Sequence, residues 1–102
     1  MAYKIIHSPL AELTFQQNII YLEKEWSLKE IKNFINKTQD VIDILKVDPF
    51  VFSLWEFNNK IRKIVILKQI TMFYEIERKN IFIHLFWNNY QDPNKMKRLL
   101  KM

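Results

Sequence analysis

The sequence contains no glycine, no cysteine and only three prolines in 102 residues. Without glycine there is no Gly-rich loop to cradle a phosphate, no dinucleotide fingerprint and no nucleophile elbow, since each needs backbone that a Cβ would obstruct. Without cysteine, neither a disulfide framework nor a Cys-based zinc site can hold a small core together. That suits a reducing compartment, and the expected location is cytoplasmic. Long apolar runs are missing too. Ile5-Ile6, followed by His7-Ser8-Pro9, is too brief for a signal-peptide core, and no stretch approaches the roughly 20 residues of a membrane helix. The expectation is a soluble, unprocessed chain with no membrane partner. No cluster of ligand-type residues has metal-binding spacing, so no cofactor or metal is expected.

What is present points to a packed globular fold. Hydrophobic residues make up 49% of the chain and charged residues 26%, a balance that favours a core over disorder, and the length suits one domain spanning residues 1–102. The net charge of +5 is unevenly placed. Residues 1–50 carry six Lys/Arg against seven Asp/Glu, and residues 51–102 carry ten against four. A basic second half can be the footprint of a polyanion or of an acidic protein partner, or simply a solvated lysine-rich surface.

The hydrophobic period changes once along the chain. Residues 3–7 form a short strand-like run, and Ser8-Pro9 is a helix start: a serine able to cap, then proline at the first helical position. Ala11, Phe15, Ile19, Leu22 and Trp26 then recur at helical spacing and should form the buried face of a first helix. Ser27-Leu28-Lys29-Glu30 matches a capping box, with Trp26 and Ile31 available as a hydrophobic staple. The second helix carries Ile31, Phe34, Ile35, Thr38, Ile42 and Leu45 on one stripe and must stop near Asp48-Pro49. Beyond it the pattern alternates, predicting strands over residues 60–67, 70–76 and 81–87 joined by hairpin turns. The apolar segment 50–57 is either a strand extension or a packed loop. Asp92-Pro93 repeats the cap-plus-proline start, and Met96, Leu99 and Leu100 give a short last helix one apolar edge. The predicted fold is α+β, in the order βααβββα, with an antiparallel two-helix hairpin packed on an antiparallel sheet.

This ordered set resembles the RelE/ParE family of toxins from end to end. The resemblance is carried by Ile5-Ile6-His7-Ser8-Pro9-Leu10-Ala11 at the start, by Ile61-Arg62-Lys63-Ile64-Val65 and Phe73-Tyr74-Glu75-Ile76 in the middle strands, and by the run from Ile81 through Asn89-Tyr90-Gln91-Asp92-Pro93-Asn94-Lys95. It implies a toxin of a type II toxin–antitoxin system, of the kind also described as plasmid stabilisation proteins. Such a toxin inhibits growth and is held inactive in a hetero-oligomer with a cognate antitoxin. Two targets follow from the resemblance. RelE-type members enter the ribosome and cleave messenger RNA without a metal, using Arg/Lys side chains and often a tyrosine, whereas ParE-type members bind DNA gyrase. The alternative is a non-catalytic nucleic-acid-binding or protein-interaction module on the same fold.

Matched residue by residue, the family pattern is incomplete. Thr71 stands where RelE-type enzymes often carry an arginine three residues before the middle-strand tyrosine, and Tyr90 stands where a further arginine is often found. Arg62 and Tyr90 are therefore the candidate catalytic residues, and Lys63, Tyr74, Lys95 and Arg98 are candidates for binding nucleic acid or another target. Each also has an ordinary reading: Arg62 and Lys63 as solvated strand residues sent to opposite faces by alternation, Tyr74 as core or cleft wall, Tyr90 as packing. His84 and His7 are most simply structural, and Asp92 is a helix cap.

Overall fold

The computed structural model describes residues 3–100, so Met1-Ala2 and the tail residues Lys101-Met102 lie outside the described residues. Eight elements follow one another: β1 (Lys4–His7), α1 (Pro9–Glu25), α2 (Leu28–Val47), β2 (Leu54–Trp55), β3 (Asn58–Leu67), β4 (Ile70–Glu77), β5 (Asn80–Asn88) and α3 (Pro93–Leu100). They build an α+β fold around one sheet of order β1-β5-β4-β3-β2. The hairpins β3–β4 and β4–β5 are antiparallel as expected and β2 pairs antiparallel with β3, but β1 pairs parallel with β5, so the sheet is mixed. The helical hairpin between β1 and the rest of the sheet supplies the long crossover that a parallel pairing requires.

The helix boundaries follow from their caps. Ser8 Oγ accepts from the Ala11 amide at 2.9 Å, and Ser27 Oγ accepts from the Glu30 amide at 3.4 Å, each satisfying a first-turn N–H. The reciprocal half of the capping box is not made: the Glu30 carboxylate accepts from Gln69 Nε2 instead. The segment left open at 50–57 contributes the two-residue β2, and Trp55 is buried there. Glycine-free turns carry a local cost. Arg78 takes φ 59° in the two-residue β4–β5 turn, where glycine or asparagine would normally supply a positive φ.

The sheet is covered on both sides. On one face α1 and α2 pack Leu22, Phe34 and Leu45 against Met72, Tyr74, Ile81, Ile83 and Phe86. On the other, α3 places Met96 and Leu100 against Phe73, Leu85, Trp87 and Trp55. The buried stripe of α1 is Ala11, Thr14, Asn18 and Leu22, not the fully apolar stripe expected; Phe15 and Ile19 are only half-buried and Trp26 is exposed. The reason is the brevity of β1, whose pairing with β5 ends at His7↔Ile83. Beyond that point α1 takes over the edge of β5. Ser8 N–H donates to the Ile83 carbonyl, Ser8 Oγ to the His84 carbonyl, Asn18 Nδ2 to the Phe86 carbonyl, and Thr14 Oγ1 accepts from the Phe86 amide. Buried strand-edge groups must find partners, and polar residues on the helix face supply them. On α2, Ile35 is likewise exposed, and Val41 takes a buried place beside Phe34, Thr38 and Leu45.

Candidate functional site

The end of the sheet where β3 turns into β4 and β5 leaves for α3 gathers a polar network around an exposed aromatic. Asn88 ends β5 buried, and its Oδ1 accepts from the Tyr90 amide at 2.9 Å while its carbonyl accepts from the Gln91 amide at 3.1 Å. This asparagine-based turn is a local substitute for regular pairing. It holds up Tyr90, which is 61% exposed. Asn89 ties the turn to the neighbouring hairpin: its Nδ2 donates to the Lys68 carbonyl, its backbone N–H to the Gln69 carbonyl, and its Oδ1 accepts from Thr71 Oγ1 at 2.9 Å. Gln69 is fully buried and donates Nε2 to Glu30 at the start of α2. Lys68 lies 4.8 Å from the centre of the Trp26 ring, within cation–π range. Tyr90 is therefore an exposed side chain on a braced turn.

Thr71, flagged in the sequence for its lack of charge, sits in this network. It is buried and directs its hydroxyl to Asn89. The amides, hydroxyls and exposed phenol ring of this network can stack and hydrogen-bond, but Thr71 brings no charge to stabilise one developing at a phosphate, and the Lys68 ammonium beside it lies over the Trp26 ring.

The structure does not bring the other candidate residues together here. Arg62 lies opposite Tyr74 and Lys63 opposite Phe73 across the β3–β4 pair, which places them on opposite faces as alternation requires. Arg62 holds the loop after α2, donating Nη1 to the Phe52 carbonyl at 2.6 Å and to the Phe50 carbonyl at 3.3 Å, with its guanidinium 5.3 Å from the Phe50 ring centre. Lys63 pairs with Glu56 at 3.3 Å. Tyr74 is fully buried and donates its hydroxyl to the Pro49 carbonyl at 2.7 Å. Burial pushes that phenol up to about 12; Arg62 nearby pulls it down and Asp48 adds to the rise. With no exposed surface, Tyr74 is wall and not contact, which corrects its assignment as a binding residue. Lys95 and Arg98 are exposed on α3, and Asp92 accepts from the Asn94 amide at the start of that helix. The two histidines line different cavities, His7 beside Phe15 and Phe86, His84 beside Ser8 and Leu100. Among the described residues no group of three or more His, Asp or Glu could hold a metal ion, and no helix is long and apolar enough to cross a membrane.

The brace was missed in the sequence, where Gln69 fell in a hairpin turn and Asn88 and Asn89 lay in the closing run that carries the family resemblance. A signal existed. A glycine-free chain must build its turns from side chains, and two adjacent asparagines ending a strand mark where it does so.

No protein-family model and no curated sequence matches the chain. Among solved structures, the chain is similar to that described as the YoeB dimer from Staphylococcus aureus, with a TM-score of 0.60 at 12% identity over 88% of this chain and all of the other. At that identity the likeness shows a shared fold.

Proposed function

We propose that the chain is the toxin of a toxin–antitoxin pair, and that it inhibits growth by binding its target through the surface centred on Tyr90. The observation that supports this most is the fold shared with YoeB, itself a toxin of such a system, over 88% of this chain and the whole of the neighbour. The end-to-end sequence resemblance to RelE/ParE toxins and the basic second half add to it, since an acidic antitoxin segment would neutralise that charge.

Binding is favoured over RNA cleavage by the occupation of the cationic candidates. Arg62 is committed to two loop carbonyls, and Thr71 puts a neutral hydroxyl where an arginine is expected. Transition-state stabilisation by preorganised cations supplies much of the rate in metal-free phosphoryl chemistry, and that set is depleted here. The target is then translation or DNA gyrase, engaged by Tyr90, with the exposed Lys95 and Arg98 of α3 as further candidates.

Induced expression in a bacterial host should slow growth, and co-expression with the short protein encoded by the adjoining reading frame should restore it through a stable complex. Normal growth at high soluble expression would overturn the toxin reading. Rapid ribosome-dependent cutting of messenger RNA at defined codon positions would leave the toxin in place and overturn the binding mode.

A further inference from the structure

At the opposite end of the α3-covered face, a cleft of about 690 Å³ opens between β3, β4 and β5 below, the first residues of α1 and the end of α3. Thr71 and Glu75 lie four residues apart on β4, so this cleft stands roughly 13 Å along the strands from the Tyr90 network. Its apolar walls are Leu10, Ile61, Leu99 and Leu100, and its polar groups are Ser8, Asn58, Lys60, Glu75 and His84.

His84 is presented there by a break in the sheet. The β4–β5 register pairs Phe73 with Leu85 and Tyr74 with Ile83, leaving His84 as the extra residue of a bulge. A bulge re-aims a side chain at the expense of ladder pairing, and this one is clamped by Ser8, whose N–H and Oγ take the carbonyls of Ile83 and His84. The imidazole is then oriented by a carboxylate, His84 Nε2 lying 3.0 Å from Glu75 Oε1, with both side chains about 30% exposed. Nδ1 remains for another partner. Lys60 makes no ion pair among the described residues, although its strand neighbour Lys63 does.

We propose that this cleft is a second binding site, distinct from the Tyr90 surface and independent of its role, and that it takes a phosphorylated nucleoside. Apolar surfaces on the sheet side and the helix side suit a planar base, which a sugar or an inorganic anion would not use. Lys60, exposed and in no ion pair among the described residues, is the cation offered to a phosphate, while the Glu75 carboxylate of the same cleft is engaged by His84. Asn58 Nδ2, whose Oδ1 is taken by the Lys60 amide, and Nδ1 of the oriented His84 offer the hydrogen bonds that a ribose or a base edge requires, a combination of apolar lining and few placed polar groups that marks small-ligand sites. The volume also lies in the usual range of such sites, about 300–1,000 Å³.

The test is a heteronuclear NMR titration of the full chain with adenosine and uridine 5′-monophosphates, with adenosine, with inorganic phosphate and with a 5′-phosphorylated pentauridylate. Either monophosphate should shift His84, Lys60 and Leu100 saturably, with a dissociation constant below about 1 mM, and adenosine or phosphate alone should bind at least about tenfold more weakly. Lys60→Ala, an exposed change that leaves the core alone, and His84→Ala should each weaken the monophosphate by about tenfold. If pentauridylate shifts the same residues more tightly than uridine monophosphate, the nucleotide belongs to a strand; if not, to a free ligand. Either result upholds the site. Absence of saturable shifts, shifts confined to Tyr90 and Thr71, or unchanged affinity in both variants would overturn it, whether or not the chain is toxic.

Discussion

On one face of the sheet, α1 and α2 bury Leu22, Phe34 and Leu45 completely and complete the hydrogen bonding of the β5 edge. On the other, the eight-residue α3 covers Phe73, Leu85 and Trp87, and the same face carries Thr71 at one end and the His84–Glu75 cleft at the other. The first face is closed by long helices whose anchors come from every turn. The second is covered by a helix too short to be stable without packing, and the Tyr90 turn and the His84–Glu75 cleft lie at its margins. If the chain acts through the Tyr90 surface as proposed, stability and action are separated across the thickness of one sheet, and substitutions on the two faces should sort cleanly into different phenotypes.

The strongest challenge to that division is Phe34→Ala. Phe34 is fully buried, stacks at 4.8 Å on Phe15 and meets Phe86 edge-on at 5.8 Å. Truncation should cost about 3–5 kcal/mol, enough to lower the melting temperature by roughly 12 °C or more. Leu100→Ala on the opposite face should cost only about 2 kcal/mol, the low end for a buried leucine, because the end of α3 can relax into the space. Equal losses in thermal melts would erase the contrast between the faces.

Asn18→Ala sharpens the same point through hydrogen bonding. It would leave the Phe86 carbonyl without the 2.9 Å bond that replaces a missing strand partner, a loss of about 1–3 kcal/mol, and denaturant melts should show it. A loss below about 0.5 kcal/mol would mean that α1 does not stabilise the β5 edge.

Much of this architecture is legible in the chain. Ser8-Pro9, Ser27 through Glu30 and Asp92-Pro93 mark helix starts through local chemistry, and the three long strands read through alternation because each pairs with its sequence neighbour. Features that depend on distant pairing are not legible. Thr14 and Asn18 look like the solvent side of α1 until β1 is seen to stop short of Phe86. The bulge at His84 reverses the parity of β5, so that Ile83 and Phe86 share one face and Leu85 and Trp87 the other. For the candidate site, the sequence identified Tyr90 and the neutral Thr71. It offered core as the ordinary reading of Tyr74, but did not reveal that Arg62 would be spent on Phe50 and Phe52, which follows from the path of the loop after Pro49.

That loop gives a pH test of the closed face. Tyr74 has its phenol raised from 10 to about 12 by burial. Its folded-state value exceeds the unfolded one, so its contribution is fully present below about pH 10 and is lost as the pH climbs toward 12, where the unfolded chain has released the proton first. Tyr74→Phe should forfeit about 1 kcal/mol at neutral pH with the Pro49 hydrogen bond. Between pH 10 and 12 its stability should decline less steeply than that of the parent chain. Parallel alkaline slopes in thermal melts would show that the tyrosine is not protected.

The smallest effect on stability, and the largest on action, belongs to Tyr90. Its side chain is 61% exposed, and the bond that fixes its turn runs from its backbone amide to Asn88, so Tyr90→Ala keeps the brace and should change stability by no more than about 0.5 kcal/mol. Arg62→Ala is the matched contrast. It removes two charge-assisted bonds to loop carbonyls and should cost roughly 1 kcal/mol, discounted because the group is partly exposed. If the chain acts by binding, Tyr90→Ala should abolish most growth inhibition while melting like the parent, because exposed aromatics on rigid supports are where interfaces concentrate their energy. Arg62→Ala should then remain largely toxic despite its lower melting point. The reverse pattern, with toxicity lost in Arg62→Ala and kept in Tyr90→Ala, would move the working surface to the loop after α2. It would also mean that the guanidinium leaves Phe50 and Phe52 to meet the target.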